Sequence, residues 1–237
     1  MPTFANHRSA NPPMHRTHDL ARPCPGPLSA GLLLLLFLAV TGCQPIGYVA
    51  NAVAGGDETV DVKAQFLGLQ GKTIAVLVTM DEHTLMEFRD ADRRLCQSIS
   101  QELKTNLPPG TAVLSPAQMV KFVKDHPRLA AMPYGQLLKE LKADRLLLVD
   151  IFEYHTHDPG NPHQWQGVCS AGISVASADA PNPDDLVYSA QVHVEYPKDS
   201  EIGMVNSDSA TIEAALLQGF GLQVSWLFHD HKEPVVK

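Results

Sequence analysis

The sequence of 237 residues is poor in basic residues, with 18 Lys and Arg against 26 Asp and Glu and a formal net charge of −8. Binding to nucleic acid through its phosphates needs a clustered Lys and Arg surface, and the sequence has no such cluster. Charged residues make up only 19% of the chain and hydrophobic residues 44%, which excludes a disordered polyanion. These values are typical of an acidic globular protein, and the length allows one domain of ordinary size with appendages.

Cysteine is also scarce, with four residues and no pair at CxxC or CxxxC spacing. This excludes a disulfide framework and the common zinc-binding ribbons. Cys96 falls within a helical pattern and Cys169 within an extended one. In an exported protein these two residues could form a disulfide, and the alternative is two buried, small apolar side chains.

Long hydrophobic runs are limited to one segment, GLLLLLFLAV at residues 31–40. It is far shorter than the ~18–20 residues that span a bilayer, and it follows a basic leader, as in a secretory signal. The next residues complete the motif Val-Thr-Gly-Cys at 40–43, which resembles the lipobox of bacterial lipoproteins. The resemblance predicts a signal peptide at residues 1–42 and lipidation of Cys43. The alternative is an ordinary cleaved signal peptide, and the long leader leaves open a start at Met14.

The predicted lipid anchor has consequences for location. Each buried CH₂ of an acyl chain such as palmitate contributes about 0.8 kcal/mol, so two or three chains hold a protein almost permanently at a membrane. Gln44, rather than Asp, follows the predicted lipidated cysteine. By resemblance to the sorting rule of didermic bacteria, this favours the periplasmic face of the outer membrane.

Hydrophobic periodicity in the rest of the chain predicts a tether at residues 43–59, one domain at 60–231 and a C-terminal tail at 232–237. Strands are predicted at residues 60–66, 73–79, 112–114 and 146–152, with a hairpin formed by 165–178 and 186–196. Helices are predicted at residues 88–107, 116–125, 134–141 and 209–228. This order, β-α-β-α-α-β followed by a hairpin and a closing helix, predicts a two- or three-layer α/β domain with a mixed sheet of five to six strands.

No pattern in the sequence predicts a catalytic site. Gly-Lys-Thr at residues 71–73 precedes a strand instead of opening a helix, which excludes a phosphate-binding loop. There is no Gly-x-Ser-x-Gly motif, and Ser115 is better explained as a helix cap. Asp81, Glu82 and His83 follow the first core strand, where α/β sheets commonly bind ligands. The alternative for these three residues is a solvated loop before the next helix, and we expect no enzyme and no cofactor.

A histidine-rich loop follows the strand at residues 146–152. His155, His157 and His163 lie in the segment HTHDPGNPH, and two His at i and i+2 on an extended backbone point the same way. With Asp158 or the histidines within residues 229–231, they could hold a transition metal. This gives a second functional hypothesis, a metal-binding protein or metal-dependent enzyme, against the alternative of a solvated loop.

Three segments carry a resemblance to a known family. They are GKTIAVLV at residues 71–78, AVLS at 112–115 and LLKELKADRLLLV at 137–149. Together with the helices between them, they resemble the TolB N-terminal/CsgG-type domain, in which an ELGAD motif precedes a hydrophobic strand. Here that motif reads ELKAD, with Lys142 in place of Gly.

The resemblance covers about residues 66–228 and implies an envelope protein, often a lipoprotein, that acts by protein contact and oligomerisation. A pore subunit would insert an apolar-alternating hairpin, and the polar hairpin at residues 165–196 argues against that role. We therefore expect a non-enzymatic, membrane-anchored lipoprotein that binds another envelope protein or itself, with no nucleic acid as partner. A third hypothesis is a small-ligand binding module with its pocket at the strand ends, near Asp81 and Asp150.

Overall fold

The computed structural model describes residues 59–158, 160, 161, 164–198, 204 and 206–234. The predictions for the signal peptide, for Cys43, for nearly all of the tether and for His163 lie outside these residues. No helix among the described residues combines the length and the apolar composition needed to cross a membrane.

The described chain forms seven strands and five α-helices. The strands are β1 Thr59–Val62, β2 Thr73–Met80, β3 Ala112–Val113, β4 Arg145–His155, β5 Gly167–Ser177, β6 Leu186–Tyr196 and β7 His231–Pro234. The helices are α1 Glu82–Glu87, α2 Ala91–Asn106, α3 Pro116–Asp125, α4 Tyr134–Leu141 and α5 Ser209–Trp226, with a 3₁₀ turn at Leu129–Ala131.

Five of the strands form one mixed sheet in the order β3-β2-β4-β5-β6. β2 runs parallel to β3 and β4, and β5 runs antiparallel to β4 and β6. This confirms the predicted α/β class and the predicted mixed sheet of five to six strands. The remaining two strands, β1 and β7, pair antiparallel in a separate two-stranded sheet.

The two faces of the five-stranded sheet have different coverings. On one face, Cys96 of α2 lies against the Val76 carbonyl, and Ile212 and Leu216 of α5 approach the backbone of Gly167. On the opposite face, Leu137 of α4 lies over Leu77 and Leu148. Side chains alternate between the faces of a strand, so buried apolar residues on both faces explain the nearly continuous apolar runs of β2 and β4.

Local signals set most helix boundaries. Ser115 caps α3 through a capping box with Gln118, as its position before Pro116 predicts. Asp208 caps α5 by accepting a hydrogen bond from the Thr211 amide at 2.8 Å. The helix α4 begins at Tyr134 and ends at Leu141, as predicted.

Several boundaries differ from the sequence-based expectation, among them the end of β4, which lies at His155 instead of residue 152. The helix predicted at residues 88–107 begins later, at Ala91 of α2, because Asp90 before it has a left-handed φ of 62°; α1 is a separate short helix that the sequence did not predict. The strand predicted at residues 60–66 is the shorter β1, since the following amides of Gln65 and Phe66 bond to the Leu227 carbonyl instead. Most of β7 lies in the segment predicted as a C-terminal tail.

Candidate functional site

Asp81, Glu82 and His83 lie at the carboxyl end of β2, as expected, but Asp81 has a structural role there. Its carboxylate accepts hydrogen bonds from the hydroxyl and the amide of Thr84 and caps α1. These bonds, led by the one from the hydroxyl, hold the pKa of Asp81 below its usual range. Glu82 and His83 are exposed on the first turn of α1. A ligand role for these residues remains a prediction.

His155 and His157 have different surroundings. The Nε2 atom of His155 lies 3.6 Å from a carboxylate oxygen of Glu153, whereas the ring of His157 packs edge-on against Trp165. Within the described residues, no group of three or more His, Cys, Asp and Glu side chains has a geometry suited to holding a metal ion. His163, the third predicted ligand, lies outside the described residues, so the metal-site hypothesis gains no support.

Cys96 and Cys169 are both buried free thiols, and the disulfide that the sequence allowed does not form in the structure. Cys96 contacts the Val76 carbonyl of β2, and Cys169 lies in β5. β4 separates β2 from β5, and Val175, the residue of β5 in register with Val76, is six residues from Cys169, which is about 20 Å along the strand at ~3.3 Å per residue. A disulfide needs Cα atoms closer than about 7 Å. Burial raises the pKa of the Cys96 thiol to about 11 and also raises the pKa of the Cys169 thiol.

A buried serine joins an acid and a histidine across three strands of the sheet. The Ser170 hydroxyl donates to Glu153 at 2.7 Å and lies 2.9 Å from Nδ1 of His193. In a catalytic relay the histidine stands between the serine and the acid, whereas here the serine stands between the other two. The arrangement therefore links three strands without activating Ser170. Local sequence could not predict it, because a register shift in β4 brings Glu153 opposite Ser170.

An apolar groove of about 250 Å³ follows the open edge of β2 between α2 and α3. β3 pairs only with Thr73 and Ile74, and beyond them no strand in the described residues pairs with this edge. The Ile74 carbonyl accepts a hydrogen bond from the Leu114 amide, so the backbone groups of Val78 point to the same side. We name this feature, lined by β2, α2 and α3, the edge groove.

A second cavity of about 420 Å³ lies on the face of the sheet that α4 covers in part. Its floor is formed by β2, β4 and β5, and includes Asp150 and Gly172. Its wall is apolar and comes from the 3₁₀ turn, from the loop after it and from α4, through Leu129, Met132, Tyr134 and Leu137. We name this cavity the sheet-face cleft. Asp150 lines this cleft from the interior of β4, whereas Asp81 is not among the residues that line it, so a pocket at the strand ends near both residues stays a prediction.

No protein-family model matches the chain, and no curated protein matches it. Several solved structures align with it at low identity. The PelC dodecamer from Paraburkholderia phytofirmans is 11% identical, with a TM-score of 0.43 over 73% of this chain and 98% of that one. The lipoprotein GNA1162 from Neisseria meningitidis is 16% identical, with a TM-score of 0.42 over 65% of this chain and 97% of that one.

The hypothetical protein CT253 from Chlamydia trachomatis is 13% identical, with a TM-score of 0.36 over 65% of this chain and 95% of that one. The structural neighbours thus include a lipoprotein. At these TM-scores and sequence identities, the structural similarity gives no evidence about function. The resemblance to TolB N-terminal/CsgG-type domains stays a prediction, which rests on the sequence segments alone.

Proposed function

We propose that this chain is a non-enzymatic lipoprotein of the bacterial envelope, anchored by acyl chains on Cys43, whose α/β domain binds another envelope protein. The motif at residues 40–43 carries the proposal, because it lies directly after the apolar run. Residues 44–58 then separate the predicted anchor from β1, the first described element. The proposal includes location at the outer membrane, which Gln44 after the predicted lipidated cysteine favours.

The edge groove supports a protein-binding role. Val120 and Val123 of α3 line it and are 45% and 44% exposed. The backbone of Val78 offers a donor and an acceptor beside these side chains. An extended segment of a partner can add to such an edge as a further strand, with backbone hydrogen bonds for affinity and apolar pockets for specificity.

The surroundings of the reactive groups support a non-enzymatic role. The buried thiols have raised pKa values, so little nucleophilic thiolate is present at neutral pH. Asp81 is engaged as a helix cap, and Ser170 donates to Glu153. Each of these groups already has a structural partner that accounts for its position.

Lipidation is tested by labelling with an alkyne analogue of palmitate in a didermic host. Wild-type protein is expected to carry the label and to sediment with membranes. Cys43→Ala should lose both properties, whereas Cys24→Ala, a matched change in the leader, should keep them. Equal labelling of the Cys43→Ala variant would contradict the proposal.

Partner binding is tested in cells with a photo-crosslinking amino acid at position 123 in the edge groove. The matched control is position 187 in β6, where Val187 is 43% exposed. We expect a discrete adduct from position 123 that is lost when Val120→Glu is added, because a charge in the groove opposes burial of a partner segment. Mass spectrometry then distinguishes an envelope partner from a second copy of the chain. Equal adducts from both positions would contradict a role for the groove.

A further inference from the structure

We infer that the sheet-face cleft binds a small amphipathic amine, a molecule with an apolar body and a protonated amino group. This site goes beyond the proposed function and is separate from the edge groove, although Leu77, Thr79 and Leu129 contribute to both. Three properties of the cleft support this inference: an open floor, an apolar wall and the exposed carboxylate of Asp150, which has no ion pair among the described residues.

The open floor results from Gly172. This residue lies in the interior of β5, between Asp150 of β4 and Gln191 of β6. Apart from Gly172 itself and its two chain neighbours, a Cβ atom added there would meet no atom of the described residues within 4 Å. Glycine weakens a strand interior, and it often marks a place where a ligand approaches the backbone closely. No positive φ or close approach by protein explains glycine at this position.

The wall supplies the apolar contact. Met132, Tyr134 and Leu137 stand on one side, and Leu77 and Leu148 form the apolar part of the floor. The volume of about 420 Å³ lies within the usual range of small-molecule pockets, about 300–1,000 Å³. A phenyl or short alkyl body suits this wall, since burial of apolar surface is favourable wherever it removes water.

The negative charge of the Asp150 carboxylate determines that the ligand carries a positive charge. Among the described residues that line the cleft, Asp150 is the only ionisable acid or base apart from the phenol of Tyr134. Its carboxylate accepts a hydrogen bond from the Thr79 hydroxyl at 2.9 Å, and no Lys, Arg or His of the described residues forms an ion pair with it. An ammonium group offers donors to this carboxylate, while an anion would be repelled by it.

Hydroxyl groups supply the other polar atoms of the cleft, with Thr79 beside the carboxylate. Ser174 lines the cleft, and its hydroxyl lies 3.2 Å from the Ser189 hydroxyl. An ammonium group has three donors, and the two carboxylate oxygens of Asp150 with the neighbouring Thr79 hydroxyl oxygen offer acceptors to it. The apolar wall and this polar end together fit a molecule with one charged terminus.

The test uses the full chain in phosphatidylcholine nanodiscs and three probes with the same body: phenylbutylamine, phenylbutanol and phenylbutyrate. Isothermal titration calorimetry with empty nanodiscs as the blank separates binding to the protein from partition into lipid. We expect saturable binding of the amine at one site per chain, weaker binding of the alcohol and no binding of the carboxylate. Equal affinity for amine and carboxylate, or no saturable binding of the amine, would overturn the inference.

Two variants locate the site. Asp150→Asn should weaken amine binding by about tenfold and remove the preference for amine over alcohol, because the charged hydrogen bond is lost. Gly172→Leu should abolish binding of both the amine and the alcohol, because the leucine side chain fills the cleft. Gly172→Ala is the smaller matched change. Unaltered thermal unfolding establishes that the variants are folded. Wild-type affinity in both Asp150→Asn and Gly172→Leu would place the amine elsewhere and overturn the assignment.

Discussion

At the scale of single residues, Arg145 shows how a buried cation is accommodated at the start of β4. The residue is only 7% exposed, and its guanidinium forms two contacts with Asp179, at 2.9 and 3.1 Å. Lys72 adds a further ion pair to the same carboxylate at 3.1 Å. Hydrogen bonds from Ser177, Arg145 and Lys72, in that order, hold the pKa of Asp179 well below its usual range.

A depressed carboxylate pKa predicts a pH-dependent stability. Its contribution is fully present above the unfolded-state pKa of about 3.9 and is lost as the pH falls through the lower folded-state value. Asp179→Asn should therefore lower the free energy of unfolding at pH 7 by about 1 kcal/mol, a modest value because water screens the exposed carboxylate. The difference from wild type should shrink as the pH falls below 4.

Denaturant titration across pH measures this effect. The control is Asp185→Asn, since Asp185 accepts a hydrogen bond from Asn182 and forms no ion pair among the described residues. A loss for Asp179→Asn that stays constant down to pH 2 would show that the pKa shift is not its cause.

The two buried thiols give a second prediction at this scale. With a pKa of about 11, Cys96 is thiolate in only about one molecule in a thousand at pH 8, and Cys169 is also shifted upward. Iodoacetamide should therefore modify both residues only after unfolding, as measured by mass spectrometry of the corresponding peptides. Modification at equal rates in native and unfolded protein would contradict the burial of these thiols.

At the scale of elements, the contact between α2 and α5 depends on close backbone approach. Gly221 of α5 faces Ser98 of α2, and an added Cβ atom would lie 2.2 Å from the Ser98 hydroxyl and 3.1 Å from its carbonyl carbon. The Ser98 hydroxyl donates to the Leu217 carbonyl at 2.7 Å, which joins the two helices. The small residue thus allows the helices to pack closely over the sheet.

Gly221→Leu is expected to lower the free energy of unfolding by about 2–3 kcal/mol, because a large side chain forces the two helices apart. Ala214→Leu is the matched control, since Ala214 lies on the exposed side of the same helix. Urea unfolding followed by circular dichroism measures both changes. Equal stability of the two variants would contradict the close approach at Gly221.

At the scale of the whole molecule, β1 and β7 bring both ends of the described chain together. Thr59 pairs with Pro234 and Val62 with His231. Asp230 reinforces the junction, because its carboxylate accepts from the Lys63 ammonium at 2.7 Å and from the Ala64 amide at 3.0 Å. The chain therefore enters and leaves the domain at one place.

Deletion of residues 231–237 should release β1, since a single strand without its partner has no backbone hydrogen bonds to hold it. Limited proteolysis is expected to cleave within residues 59–62 in the deletion variant and to leave them protected in wild type. Deletion of residues 235–237 alone is the control and should keep the protection. Identical cleavage in wild type and both variants would contradict the pairing.

Several features of this protein are determined by local sequence. The apolar run of β2 gives a buried strand, Ser115 followed by Pro116 starts α3, and alternation along residues 165–196 gives the β5–β6 hairpin. In each case the residues that specify the element lie within it or directly beside it, so the element can be predicted without knowledge of the fold. The motif at residues 40–43 is local in the same sense, and its interpretation as a lipobox stays a prediction.

The candidate site was predictable only in part. The sequence predicted Asp150 near a strand end, whereas it lies in the interior of β4, which extends to His155. Nothing in the local sequence pointed to Gly172, because its role depends on the open space above it. The pairing of β1 with β7, the separation of Cys96 from Cys169 and the meeting of Glu153, Ser170 and His193 also join residues distant in sequence. Strand order, register and the shift in β4 decide these contacts, and only the folded chain fixes them.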